Sequence, residues 1–388
     1  MPLLRSSPSD YTAVVKSLAV AGAAVSNPQG SRPASKGAVP FVNVASVAAI
    51  IRASPRLVTT PAPKPVVIPK PTLPIDPNNY TVYQTTLLFS NDRVWNGMLR
   101  RDTSGNLYFR NSENYKFWKV APDGTLTFIA GNGINNSTFI PGPSATAQFR
   151  NRIWNMVLDS LNNIYAVNDD TAGIIKIVPN GDTTLYAGTG NTGYTNGTIS
   201  TATFTSPYAI AIDASNTMYV WEFGRKTIRK ITSSGEVSTI TFTSAFNPVF
   251  YYIDVDSLGV IYALDTVLHR VYKITPTGPS TADLSLFAGS TQGYANGQGS
   301  AAQFNFDPNS GLCIDTFGNV YVGDSNNGSV RKITPSGLVS TIVGNGTNAG
   351  LHAESNTQLR YPRKPIIDSN GRLYIATEAN IRRITPVS

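Results

Sequence analysis

Cysteine, histidine and long apolar runs are scarce in this chain, and each scarcity argues against a class of protein. The one cysteine, Cys313, rules out an internal disulfide, and its place in a predicted strand indicates a buried apolar side chain. The two histidines, His269 and His352, lie in different parts of the sequence, which argues against a zinc site and against a Ser-His-Asp or Cys-His arrangement. No apolar run approaches the roughly twenty residues of a membrane-spanning helix, so no span is predicted.

Charge is also scarce, and it is unevenly distributed. Only 14% of the residues are charged, with a formal net charge of +8. Residues 1–80 hold eight of the 31 Lys and Arg residues but two of the 23 Asp and Glu residues, which leaves the remainder close to neutral. A near-neutral domain is not expected to bind nucleic acid strongly, and the dispersed charges of residues 1–80 form no compact basic patch.

What the chain does have is a repeat that occurs six times. Each copy contains an apolar strand ending in Asp, a polar turn, a strand centred on Tyr, a basic-apolar strand and a Pro/Gly turn. The Asp residues are Asp102, Asp159, Asp213, Asp256, Asp315 and Asp368. Periods of roughly 40–50 residues with four short strands are typical of propeller blades, and the excess length is expected in loops.

The repeated polar residues are predicted to have structural roles. The Asp before each turn is expected to cap it by accepting backbone N–H groups. A basic residue recurs on the third strand, where its stem can pack between blades while its charge reaches a carboxylate or solvent. These residues are Lys119, Lys176, Lys230, Lys273, Lys332 and Arg383.

The clearest copy contains Tyr321-Val322-Gly323-Asp324, then Val330-Arg331-Lys332-Ile333, then Val339-Ser340-Thr341-Ile342-Val343-Gly344. These motifs resemble units of the NHL-repeat family of β-propellers, and the resemblance covers about residues 81–388. It implies an all-β, six-bladed propeller. The last copy lacks its outer strand, and residues 81–90 are predicted to supply it and so to close the ring.

The long connections between copies share a pattern of Gly-Tyr-x-Asn-Gly followed by Ala-x-Phe, as in residues 193–204 and 293–304. We expect Gly to permit the turns and Phe to fill the gap between blades, with Phe149 and Leu359 in the same place elsewhere. No phosphate-binding loop signature is present. The connection before Asp256 is short, so one sector of that face is predicted to be less covered.

Residues 1–78 are predicted to form an arm that precedes the propeller domain of residues 79–388. The arm contains a predicted helix near residues 10–25, a second apolar stretch at 39–51 and a Pro-rich linker at 55–77. Residues 18–25 could alternatively be the core of a signal peptide. Because an apolar arm of this composition rarely orders alone, docking onto a partner protein or another copy of the chain is expected.

Counting back from each repeated Asp gives the candidate site. Five positions before it, the ring of residues is Gly97, Trp154, Tyr208, Tyr251, Ser310 and Arg363; two positions before it, the ring is Arg100, Val157, Ala211, Asp254, Cys313 and Ile366. We predict a ligand or peptide pocket of Trp154, Tyr208 and Tyr251 at the channel mouth, with Arg100 and Asp254 deeper inside. Arg363, from the same ring as the aromatic residues, is a further candidate binding residue of this site. The alternative is that these aromatic rings only pack between blades. A ring with one carboxylate does not predict a metal cage, and no catalytic residue or cofactor is predicted.

These observations favour a non-enzymatic interaction or structural platform, tethered into an assembly by its N-terminal arm. A virion or cell-surface complex would suit the low charge and the long arm. One alternative is an enzyme or small-ligand binder that uses the channel mouth. A second alternative is an RNA-binding propeller, as some NHL-repeat proteins are.

Overall fold

The computed structural model describes residues 82–90 and 98–387, except for 112–113, 136–137, 150–151, 170, 244–247, 349–357 and 378–379. The predicted arm, its Pro-rich linker and the boundary at residue 79 lie outside the described residues. Within the described part of the chain, no helix has the length and apolar character that crossing a membrane requires.

The described residues fold into six antiparallel units of four strands, each following the predicted repeat. The first unit contains β2 Arg100–Arg101, β3 Leu107–Asn111, β4 Lys116–Val120 and β5 Leu126–Ala130, and the second contains β6 Ile153–Leu158, β7 Ile164–Asn168, β8 Gly173–Ile177 and β9 Thr183–Ala187. The third unit contains β11 Pro207–Ile212, β12 Met218–Glu222, β13 Thr227–Ile231 and β14 Glu236–Phe242, and the fourth contains β15 Tyr252–Val255, β16 Ile261–Asp265, β17 Arg270–Gly278 and β18 Thr281–Ala288. The fifth unit contains β20 Leu312–Ile314, β21 Val320–Asp324, β22 Ser329–Ile333 and β23 Leu338–Val343, and the sixth contains β24 Pro365–Ile367, β25 Leu373–Ala376 and β26 Asn380–Val387 with β1 Val82–Ser90. Two short strands, β10 Gly197–Thr198 and β19 Gly297–Gln298, pair with β14 and β23.

The first strand of each unit lies innermost. Neighbouring inner strands contact one another in the order β2, β6, β11, β15, β20 and β24. Apolar side chains fill the gaps between successive units, and Phe149, Phe204, Phe304 and Leu359 are fully buried there, as the loop pattern predicts. The β-propeller predicted from the sequence is confirmed.

Closure of the ring by an N-terminal strand is also confirmed. Strand β1 pairs antiparallel with β26, from Val82 opposite Val387 to Ser90 opposite Asn380. The sixth unit packs against the first through Tyr374 and Ile381, which meet Leu99 and Phe109.

The prediction of six separate blades needs one correction. The third and fourth units share a nine-stranded sheet, because Thr241 and Phe242 of β14 pair in parallel with Thr281 and Ala282 of β18. The six units therefore form five hydrogen-bonded sheets. In the fourth unit β17 and β18 are nine and eight residues long, and Thr281 and Ala282 at the tip of this hairpin make the pairing.

The repeated Asp residues cap the turns, as predicted. Asp315 Oδ1 accepts hydrogen bonds from the backbone N–H groups of Phe317 and Asn319, while Oδ2 accepts from the Asn319 amide and the Tyr321 hydroxyl. The other five each accept a backbone N–H four residues on: Asp102, Asp159, Asp213, Asp256 and Asp368. Local turn structure thus accounts for these carboxylates.

The basic residues of the third strands lie directly across from the repeated Tyr residues. Lys176 pairs with Tyr165 and Lys332 with Tyr321 in the strand register. The Lys Nζ atoms lie 5.4 Å and 5.8 Å from the respective ring centres. The predicted partner was a carboxylate or solvent, so the aromatic face is an additional contact that the sequence analysis missed.

The Gly-Tyr-x-Asn-Gly loops fold around fully buried arginines, which sequence analysis also missed. Arg331 donates to Asp324 Oδ2 at 2.8 Å and to the loop acceptors Ala295 O and Asn296 Oδ1 at 2.7 Å each. Its guanidinium carbon lies 4.9 Å from the centre of the Tyr294 ring. Arg229 makes the equivalent contacts one loop earlier, with Glu222, Thr195, Asn196 and Tyr194.

Candidate functional site

Two β-bulges place Trp154 and Tyr208 at the starts of adjacent inner strands. In the second unit, Ile153 pairs with Asn168 and Asn155 with Val167, so Trp154 has no cross-strand partner. In the third unit, Tyr208 is left out in the same way between Pro207 and Ala209. An extra residue in a strand re-aims its side chain away from the regular alternation. Both bulges bring their rings to the same place.

Trp154, Tyr208 and Tyr251 form one continuous cluster, together with Phe223, which the counting scheme missed. Trp154 stacks on Tyr208 with ring centres 5.1 Å apart, and Tyr208 meets Tyr251 edge-on at 5.5 Å. Phe223 contacts Tyr208 at 5.3 Å and Tyr251 at 5.6 Å. We call these four residues the aromatic surface.

The aromatic surface is partly open to solvent. Phe223 is 37% exposed, and the other three side chains are half-buried. Burial raises the pKa of Tyr208, with the nearby Tyr251 and Asp169 adding to the effect, so this hydroxyl stays neutral at physiological pH. Arg152 and Asp169 form a solvent-exposed ion pair of 3.1 Å. The aromatic surface thus offers uncharged ring faces with charged groups beside it.

Arg100 and Asp254 lie further along the inner strands, but they contact different partners. Arg100 Nη2 donates to Asn155 Oδ1 and to the Tyr252 hydroxyl, both at 2.8 Å. Asp254 Oδ2 lies 3.7 Å from Lys364 Nζ. Both residues line a cavity of about 200 Å³ with Val157, Cys313 and Ile366 of the same ring. Six residues lie two positions before a repeated Asp, and five of them therefore line this cavity.

Arg363 is buried and lies 4.0 Å from Asp307 at the boundary of the fifth and sixth units. Its ion pair links it to the loop that precedes β20.

The alternation of strand residues could have found the missed channel residues. Residues two and four positions before the Asp share one face of a strand, so the residues at four positions are the expected neighbours of those that line the cavity. The ring at four positions contains Asn155, Tyr252 and Lys364, which contact Arg100 or Asp254. Among the described residues, no group of three or more His, Cys, Asp and Glu side chains is placed to share a metal ion.

Part of the repeat region matches a known family of proteins. The family model of the Teneurin NHL domain matches residues 187–351. No curated protein matches the sequence.

Several solved structures share the fold at low sequence identity. An auxiliary nutrient binding protein from Bacteroides ovatus has a TM-score of 0.59 and 15% identity, covering 80% of this chain and 78% of its own. A gluconolactonase from Xanthomonas campestris has a TM-score of 0.52 and 11% identity, covering 79% and 90%. A streptogramin B lyase has a TM-score of 0.50 and 12% identity, covering 79% and 98%. At these identities the likeness is one of fold.

Proposed function

We propose that the chain, a β-propeller whose repeats resemble NHL units, is a non-enzymatic protein-interaction platform whose recognition surface is the aromatic surface. The observation that supports this proposal is the continuous contact of four rings, Trp154, Tyr208, Phe223 and Tyr251, that remain partly open to solvent.

The chemistry of these side chains suits a protein partner. Trp and Tyr dominate the binding energy of protein interfaces because they bury a large area with few rotatable bonds. Here the rings already hold one another in place, so little conformational entropy would be lost on binding. The partner that fits is an extended segment with apolar or aromatic side chains, and Arg152 and Asp169 at the edge can contribute to its orientation.

The predicted arm of residues 1–78 completes the proposal. It would tether the propeller to an assembly through a partner protein or another copy of the chain, with the Pro-rich linker 55–77 as a semi-rigid spacer.

Substitutions in the aromatic surface test its role. We expect the double variant Trp154→Ala, Tyr251→Ala to weaken capture of a partner from the native source at least about tenfold, since each ring removed from an interface centre costs about 2 kcal/mol. Phe317→Ala is the matched control, because Phe317 is 82% exposed and lies on a turn at the other end of an inner strand. The measurement is affinity for proteins retained by the unaltered chain, with circular dichroism to show that all variants fold. Equal affinity in the double variant and the control would refute the proposal.

An enzymatic or ligand-binding role is the alternative, and the likeness to a lyase and a gluconolactonase favours testing it. The assay is turnover of a streptogramin B and of a sugar lactone by the full chain, with and without added divalent cation. Turnover of either compound would overturn the non-enzymatic proposal. An RNA-binding role would instead show binding that falls steeply with salt.

A further inference from the structure

The cavity at the ends of the inner strands, which we call the channel cavity, is distinct from the aromatic surface. Its volume is about 200 Å³. It lies about three residues further along the strands than the aromatic surface, or roughly 10 Å at the rise of a β-strand. Charged and apolar side chains both line it, and the residues that matter are Arg100, Asp254, Lys364, Val157, Ile212 and Ile366.

The charged side chains of the lining carry an excess of positive charge. Lys364 pairs with Asp254, and Arg101, which also lines the cavity, lies 3.9 Å from Asp368. Arg100 is 8% exposed and donates only to neutral acceptors: Leu99 O, Asn155 Oδ1 and the Tyr252 hydroxyl. Among the described residues it has no ion pair. A buried cation without a counter-ion is costly, so this site favours an anion.

Arg100 and Lys364 converge on the same residue, Tyr252. Arg100 bonds its hydroxyl, and Lys364 Nζ lies 4.8 Å from the centre of its ring. Lys364 comes from the sixth unit and reaches the fourth unit across Gly311 of the fifth. A Cβ on Gly311 would lie 2.7 Å from Lys364 Cβ, so the glycine leaves the room that the lysine stem occupies.

An unsatisfied donor lies beside Arg100. The Asn155 side chain is 1% exposed, and its Nδ2 has no hydrogen-bond acceptor among the described residues. Its Oδ1 already accepts from Arg100 and from the Met156 N–H. The arrangement therefore holds an unpaired guanidinium charge and an unused amide donor next to each other.

We infer that the channel cavity binds a small organic carboxylate whose apolar part is about the size of a benzene ring. The carboxylate would accept from Arg100 and lie near Lys364, and the apolar part would pack against Val157, Ile212 and Ile366. The size follows from the cavity, since benzene fills an apolar protein cavity of about 150 Å³. A fully hydrated inorganic anion would leave the apolar side chains of the lining without contacts.

Titration of the full-length protein with benzoate tests the inference, with benzamide as its uncharged counterpart. We expect one benzoate per chain with a dissociation constant near or below about 1 mM, and at least tenfold weaker binding of benzamide. Arg100→Met should weaken benzoate binding at least tenfold, and the control Lys176→Met, on the third strand of the second unit, should leave it unchanged. If Arg100→Met fails to fold, Lys364→Met takes its place.

Cys313 provides a second measurement that needs no variant. It is the chain's one cysteine and lines the channel cavity. Saturating benzoate should slow its alkylation by a small neutral thiol reagent severalfold, whereas benzamide should not. Absence of benzoate binding, equal binding of benzamide, or equal protection of Cys313 by chloride or phosphate would each overturn the inference.

Discussion

Two buried ion pairs, Glu222–Arg229 and Asp324–Arg331, act at the scale of single residues to fix whole loops. All four side chains are fully buried. Each arginine also bonds the carbonyl groups of the loop that enters its unit, so the charge is shared between the carboxylate and the backbone. Burial raises the pKa of both carboxyl groups even though each is paired with an arginine. The ion pairs therefore only partly offset the hydration that the carboxylates lose on burial. Each arginine side chain thereby joins two backbone carbonyl groups of its loop.

Removing one partner should therefore cost far more than removing a neighbouring surface cation. We expect Arg331→Met to lower the free energy of unfolding by about 3–5 kcal/mol, because Asp324 is left as a buried charge without its counter-ion. Lys332→Met, one residue on and half-exposed, should cost less than about 1 kcal/mol. Urea unfolding of both variants measures the difference. Similar losses in the two variants, or no recovery when Asp324→Asn is added to Arg331→Met, would contradict this account.

At the scale of strands, closure of the ring depends on β1. It supplies the outer strand of the sixth unit through pairing along β26. Without β1, the edge of β26 would expose unpaired backbone N–H and C=O groups, which promote association with other edges. The two paired strands are far apart in the sequence, since the pairing joins residues 82–90 to residues 380–387.

Deletion of the closing strand is expected to open the ring. A chain that lacks residues 1–90 should melt at a lower temperature than a chain that lacks only residues 1–78, and it should self-associate as concentration rises. Scanning calorimetry and sedimentation velocity measure the two effects. Identical melting temperatures for the two deletions would show that β1 contributes no stability.

At the scale of the whole molecule, the propeller and the proposed tether are separate parts. The propeller forms its core between neighbouring units, from the contacts of the first and second units to those of the sixth and first. We expect deletion of residues 1–78 to leave this fold intact while abolishing assembly with a partner or a second copy. Light scattering of the full-length and truncated chains, both shown to be folded, gives the masses. Equal masses, with partner capture retained by the truncated chain, would reject the arm as the tether.

The sequence by itself determined the repeating architecture. Strand alternation, turn residues and the spacing of Asp and Tyr depend on neighbours within about ten positions. A pattern that occurs six times in the chain therefore reveals the units, their Asp-capped turns and the missing outer strand of the last unit. Position in the repeat alone also identified Trp154, Tyr208 and Tyr251 as aromatic residues that lie near the starts of neighbouring inner strands.

Only the tertiary structure decided which residues of different units meet. Bulges at Trp154 and Tyr208 turn their rings into one surface with Phe223. Gly311 leaves room for Lys364 to pass from the sixth unit to the fourth. The outer strands of the third and fourth units pair where the long β17–β18 hairpin reaches β14. Such contacts depend on the angle between units and on single inserted residues, and neither quantity is carried by the local periodicity of the sequence.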